Sequence, residues 1–432
     1  MSNQTFANGP TSLATLSREQ RRSFWLSVFN GALIRLAEVL MDANLVLTTF
    51  VSRLTDSNLL LGLISPIGSA GWYLPQLFIS SWMEKLPRKI TAYRAALGIR
   101  LATWLALGLA LWFLQSPLAL LGAFYLTYLI MKLASGLGGV AFMDVTGKTV
   151  PARLRGRLFG LRTLFGGLLS LGGSRLVKAA LQSTIPFPRN YALLIFAAMI
   201  LGGIAMGAFS LIHEEPGSVR QVPALRRQWA RGLRALRRDS AYRSMIVGRS
   251  LLYLGFVALP FYTVMARRLL HAPDQETGNY LTLVNLSYLM VTYLWGWVAD
   301  KKGASWSMSM AALLWALVAL YGLVLAVGAA AGWWTGLTLA PYQLAYPLFV
   351  LIGAATPLDT IAGFTLLLDV TPPGRSSLYV GFSNTLIGVV VLVSSLGGLL
   401  VNLLGLSGLF FVTLLINLAA WRCFRQIRVR RN

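Results

Sequence analysis

Apolar runs long enough to cross roughly 30 Å of hydrocarbon recur about twelve times along the chain. They fall near 24–49, 59–83, 91–114, 118–143, 158–181 and 190–212, and then near 243–266, 278–299, 305–330, 341–368, 377–401 and 407–424. Runs of this length predict helices: a membrane β-barrel would instead show alternating segments of about ten residues. Composition agrees, because 56% hydrophobic and 12% charged residues cannot clothe a water-soluble exterior. The 13 Trp, 15 Tyr and 21 Phe exclude a disordered chain. One cysteine, Cys423, excludes a disulfide framework, and two histidines, His213 and His271, leave nothing for a histidine metal centre. The expected fold class is therefore an all-α polytopic membrane protein. Pro66, Pro75, Pro260 and Pro357 inside the runs are tolerated in lipid-embedded helices. Residues 1–23 are polar and show no cleavable signal.

Charge fixes the expected orientation. With an even number of spans both termini share a face, and that face collects 27 Lys and Arg against six on the other (Arg53, Arg175, Lys178, Arg189, Arg267 and Arg268). The positive-inside rule then makes the chain a multi-pass protein of the cytoplasmic membrane with both termini cytoplasmic. The net charge of +24 is mostly topology. Its spread over every inner loop argues against nucleic acid as a partner. The layout reads as a cytoplasmic segment 1–23, a six-helix bundle 24–213, a linker 214–242, a second bundle 243–424 and a basic tail 425–432. Within the linker, Leu225, Trp229, Leu233 and Leu236 recur at helical spacing among arginines. That pattern fits a helix on the anionic inner leaflet and equally a solvated connector.

The two bundles look like repeats. After span four the chain reads Asp144-Val145-Thr146, Pro151 and Arg155; after span ten it reads Asp369-Val370-Thr371, Pro373 and Arg375. Parallel half-repeats point to a transporter whose halves rock around a central site. Two loops carry a further likeness. Gly296-Trp297-Val298-Ala299-Asp300-Lys301-Lys302-Gly303 lies between spans eight and nine, and Pro151-Ala152-Arg153-Leu154-Arg155-Gly156-Arg157 between spans four and five. With the six-linker-six layout, the chain resembles the major facilitator superfamily over nearly its whole length. The first-half counterpart, Glu84-Lys85-Leu86-Pro87-Arg88-Lys89, departs from that signature in having Glu for Asp and Pro for Gly. Span five lacks the Gly-Pro of the family's antiporter motif.

The resemblance implies two half-bundles related by a pseudo-two-fold axis, with spans one, four, seven and ten lining a central cavity. It also implies a cytoplasmic latch. Gly296 would let two helices approach closely, Asp300 would meet the start of span five near Arg155 and Arg157, and Glu84 would meet Arg375. Ordinary helix-end charges facing water are the alternative.

Ionisable residues at mid-membrane cost about 2.5–3.5 kcal/mol each on insertion scales. Five stand there: Arg35, Glu38 and Asp42 in span one, Lys132 in span four and Asp359 in span ten. At 100° per residue the first three share about 60° of arc, with Thr49 inside it and Asn44 opposite. Repeat alignment places Asp359 two positions from the counterpart of Lys132, so the two are expected to contact substrate or each other. Arg100, Arg162 and Arg249 lie nearer helix ends, where long side chains snorkel. Among the five, three are acidic and two basic. The unmatched carboxylate, Glu38 or Asp42, could carry a proton with Arg35 as its modulator. Plain salt bridges are the alternative, with Arg249 absorbing the leftover charge. Trp72, Tyr73, Gln76, Asn285, Tyr288 and Asn384 are weaker candidates for a pocket.

The leading expectation is a secondary transporter of a small organic solute working by alternating access, with protons as a candidate coupling ion. An uncoupled facilitator and a non-transporting receptor or scaffold on the same fold are the alternatives. No G-x-x-x-x-G-K-[ST] loop is present for ATP drive. With neither a base nor a metal cluster at membrane depth, no enzyme activity and no cofactor are expected. Substrate identity and oligomeric state stay open.

Overall fold

Where span one begins shows how the polar flanks start the helices. Ser17 caps it: Gln20 N donates to the Ser17 hydroxyl at 3.2 Å, and the Ser17 N–H donates to Gln20 Oε1 at 3.2 Å. The reciprocal pair satisfies two of the four free amides at a helix start. The helix runs Arg18–Leu40 and then breaks. Asp42 restarts it, its Oδ1 accepting from Asn44 N at 3.0 Å and Leu45 N at 2.9 Å. A π turn, Ala43–Leu47, and a last helical piece, Thr48–Ser52, complete the span.

The computed structural model describes residues 16–74, 79, 82–83, 85–217, 225–334, 338–371 and 376–427. Spans two to six are Asn58–Tyr73, Ile90–Phe113, Pro117–Thr149, Ala152–Gln182 and Arg189–Ser210. Span seven comprises Ser240–Gly255 and Leu259–Arg268. Spans eight to ten are Glu276–Lys302, Ala304–Ala330 and Tyr346–Asp369. Span eleven begins at Ser376–Val393. Gly405, at φ +69°, breaks the stretch Gly397–Arg425 and so divides spans eleven and twelve. Only glycine takes that conformation without strain.

The two halves pack alike. Span one meets five and six, span three meets four and six, and span two meets four; in the second half seven meets eleven and twelve, nine meets ten and twelve, and eight meets ten. Each contact maps on its counterpart six spans later. The helices are integral, multi-pass and apolar on their outer surfaces, with Leu126, Leu168, Ile200 and Leu403 exposed as lipid-facing positions require.

Between the halves, the principal contacts are span five with eight and span two with eleven. They concentrate on the face opposite the termini, here called the far face. A Cβ on Gly62 would sit 2.7 Å from the Gly398 backbone nitrogen, so glycine is what lets spans two and eleven close there. Toward the termini face the helices part. Gly167 of span five still meets Leu289 of span eight, with a Cβ 2.8 Å from its side chain, whereas Gly160 and Gly156 have no neighbour within 4 Å among the described residues. One turn beyond Leu289, Tyr293 is 86% exposed.

The linker helix Leu225–Arg238 docks on the second half. Trp229 stacks edge-on against Phe382 at 5.3 Å, and Gly232 lies against the same ring. Glu214, at the linker's start, is buried. It accepts from Ile90 N at 2.7 Å and from Lys148 Nζ at 2.5 Å, so a carboxylate caps span three while a lysine neutralises it.

Candidate functional site

A cavity of about 390 Å³ lies between the halves, within the range of small-molecule sites. Spans one to four supply most of its wall, and span eight adds Leu281, Val284 and Asn285. Five ionisable groups line it: Arg35, Glu38, Asp42, Arg100 and Lys132. Their commitments differ. Arg35 Nη1 lies 3.8 Å from Glu38 Oε2, with side chains 45% and 52% exposed, so this pair is loose and wet. The Arg35 guanidinium also faces the Tyr288 ring of the other half at 5.7 Å. Asp42 is held through Oδ1 by the backbone amides of Asn44 and Leu45, a helix-capping arrangement.

Glycines in span two bring Lys132 in. A Cβ on Gly71 would stand 2.7 Å from the Lys132 Cβ, so the lysine stem occupies space that any larger residue would fill. Its ammonium sits 5.3 Å from the Tyr128 ring centre. Arg100 projects from span three, 9% exposed, with its guanidinium 4.6 Å from the Trp104 ring. Trp72, Tyr73 and Asn285 also line the cavity, and Asn285 donates to Ser174 at 3.3 Å, tying span eight to span five.

Several expectations need correction. The break at Met41 and Asp42 interrupts the regular helix on which the 60° arc of span one rests. Asn44, expected on the opposite side, therefore lines the cavity. Thr49 does not: it is fully buried, its hydroxyl 3.1 Å from that of Thr277. Lys132 and Asp359 are not partners either. Asp359 Oδ1 and Arg249 Nε flank Gly363, at 3.5 and 3.6 Å from where its Cβ would be, whereas Lys132 feels Glu38 and Asp42. Asp359 and Arg249 neighbour the Tyr73–Tyr253 hydroxyl pair, which is 3.0 Å apart, and neither lines the cavity. Arg100 does not snorkel; it lines the site. Arg162 does not either, since it donates to Ser27 O at 2.5 Å and Asn30 Oδ1 at 3.2 Å and lies over Phe142 at 4.3 Å. With Arg100 counted, the lining carries three basic and two acidic groups, not an excess carboxylate.

At the termini face, Asp144, Asp369, Arg88, Arg157 and Lys301 are exposed, and Lys301 Nζ rests 4.0 Å from the Trp297 ring centre. Arg155 donates to Gly147 O at 2.6 Å and Val150 O at 3.1 Å, the free carbonyls near the end of span four. Among the described residues Gly296 has nothing within 4 Å of a Cβ, so no close helix approach is seen there. Gly303 has a different need for glycine: it turns the chain between spans eight and nine at φ +87°. Glu84, Gln76, Arg375 and the Asp300 side chain lie outside the described residues.

Sequence reasoning missed the polar closure of the far face. Asp274 accepts from Arg53 of the first half at 3.0 Å and from Arg267 of its own half at 2.8 Å. Arg267 also donates to Thr49 O at 3.1 Å and to the Ser52 hydroxyl. Arg268 reaches Asn58 Oδ1 at 2.9 Å, and Asn58 reaches Asn402 at 2.8 Å. Thr263 of span seven donates to Asn44 O at 2.7 Å, satisfying a carbonyl at the break in span one. The signal was present as opposite charges in the first loop of each half.

The comparisons bear on the fold. No protein-family model matches the sequence, and no curated protein does. Solved structures match in shape. The nucleoside transporter NupG is 13% identical at a TM-score of 0.69, covering 93% of this chain and 99% of that one. A D-xylose–proton symporter is 14% identical at 0.71 over 94% and 98%, and a POT family transporter 12% identical at 0.70 over 96% and 98%. These are major facilitator transporters, and this chain has their fold.

Proposed function

We propose that the protein is a secondary transporter that moves a small organic solute across the cytoplasmic membrane by alternating access. On this reading both termini are cytoplasmic and the cavity opens to the cytoplasm. The observation that carries it is the cavity: five ionisable side chains inside the membrane-spanning bundle, between two half-bundles joined by polar bonds at one face and parted at the other. Charges at that depth are retained where they face water or a ligand pathway, and two half-bundles closed at one end are the elements that alternating access requires.

Of the two span-one carboxylates proposed as proton carriers, Glu38 is the more accessible. Asp42 is occupied as a helix cap, whereas Glu38 is half exposed to the cavity and has only the loose Arg35 contact. One structural neighbour is named a proton symporter, which supports testing protons first. Asp300 with Arg155 and Arg157, and Glu84 with Arg375, would latch the cytoplasmic face in the opposite state, after Arg155 leaves the span-four carbonyls.

Thermal-shift screening of the purified protein against solute panels finds the substrate, since a ligand of the folded state raises its melting temperature. Uptake into proteoliposomes, with and without an inward-directed proton gradient (acid outside), then tests transport and coupling. Wild-type uptake is expected to follow the gradient, and Glu38→Gln uptake to be indifferent to it. Absence of flux for every stabilising solute refutes transport; a full gradient response in Glu38→Gln refutes the carrier.

A further inference from the structure

Among the described residues, no carboxylate stands within ion-pair distance of Arg100 or Lys132. Arg100 is nine-tenths buried and its Nε has no hydrogen-bond partner. Among the described residues its close polar contact is the Trp104 face, and that of Lys132 is the Tyr128 face. Both line the same cavity. The acidic groups do not answer them. Asp42 Oδ1 is bound by two amides and Glu38 lies loosely against Arg35; Glu38 acts on Arg100 and Lys132, and Asp42 on Lys132, only from beyond ion-pair distance. Desolvated cations left unpaired are costly. The wall beside them is aromatic, with Trp72, Tyr73 and Trp104.

We propose that Arg100 and Lys132 form an anion subsite in the cavity and that the transported solute is a small organic anion with an apolar body. This rests on the transport reading above. The carboxylate or phosphate oxygens would accept from the Arg100 guanidinium and the Lys132 ammonium, and the apolar body would lie on Trp72 and Tyr73. Arginine presents a flat fork of donors suited to such a group, and lysine adds a point charge.

The test is calorimetric binding to the full-length purified protein with two matched pairs, benzoate against benzamide and phenyl phosphate against phenol. At least one anion is expected to bind at least about tenfold more tightly than its neutral partner, the scale of one charge-assisted bond. Arg100→Gln and Lys132→Gln should each lose about tenfold in that affinity, and Arg100→Lys should recover part of it. Melting curves identify any variant that fails to fold, and Arg100→Lys then carries the comparison. Binding of neither anion, equal binding of the neutral partners, or undiminished affinity in both glutamine variants overturns the subsite. Exchange of the preloaded anion by proteoliposomes separates the two readings. Binding without exchange removes transport and leaves the subsite; exchange of the neutral partner as fast as the anion keeps transport and removes the subsite.

Discussion

Neutralising Asp274 should loosen the far face. In Asp274→Asn the same shape remains, but the Arg53 bond that crosses between the halves at 3.0 Å loses its charge. The Arg267 bond at 2.8 Å lies within the second half and does not itself cross the gate. The charged bond from Asp274 that crosses is the one to Arg53. Two unit charges about 4 Å apart at an effective dielectric of 20 attract by about 4 kcal/mol. Desolvation and side-chain ordering offset most of that, and with the side chains 37% and 20% exposed a net of about 1 to 1.5 kcal/mol is the reasonable scale. That is close to tenfold in the ratio of far-open to far-closed molecules. Thr49, fully buried against Thr277, reports it. In a Cys423→Ser background, Thr49→Cys should react with a membrane-impermeant maleimide about tenfold faster when Asp274→Asn is added. Adding Arg53→Gln to Asp274→Asn should produce little further change. A labelling rate altered less than twofold, or full additivity of the two substitutions, refutes the crossing bond as a gate.

Two further outcomes test the frame around the site. Glu214→Ala strands Lys148 and the Ile90 amide around a carboxylate whose side chain is fully buried; it should cost about 3 kcal/mol, read as a lower melting temperature. Glu214→Gln should cost less, because an amide oxygen still accepts from Ile90. Gly303→Ala places a Cβ at φ +87°, ψ 160° and should cost about 1–3 kcal/mol, whereas Gly296→Ala, inside a helix with nothing within 4 Å among the described residues, should hold or slightly raise the melting temperature. Equal melting of Gly303→Ala and Gly296→Ala refutes the conformational reading of the signature loop.

The fold was legible because hydrocarbon leaves so few choices. Run length gave the helices, and the paired Asp-Val-Thr segments with the loop motifs pointed to the two-bundle class. Within the site, legibility ended where a regular helix ended. Projecting span one at 100° per residue placed Arg35 and Glu38 correctly because they precede Leu40. It misplaced Asn44 and Thr49 because the chain kinks through Asp42. Arg100 looked like a snorkelling residue because its depth was counted from the helix end, while its direction depends on which neighbours span three meets. Arg53 and Asp274 lie 221 residues apart; the opposite charges in the two first loops are visible in the sequence, but which of them pair is not.

The charge is unequally shared between the halves, and that bears on how a solute could be felt at the gate. All five ionisable lining groups belong to spans one, three and four; span eight adds none, and Arg249 and Asp359 of the second half are set against one another. On the proposed reading, solute recognition is concentrated in the first half, and the second half closes over it. The junction is the break in span one. Asp42 lines the cavity and caps the turn that starts at Ala43, and within that turn the Asn44 carbonyl accepts from Thr263 of the second half. A ligand biases an equilibrium only through contacts that differ between its states. A solute that displaces Asp42 from its two amides would disturb the turn that carries the Thr263 contact, so binding and closure share one short backbone segment. A solute held by Arg100 and Lys132 alone would leave that segment untouched. Coupling between binding and opening should therefore depend on how near the bound anion comes to Asp42.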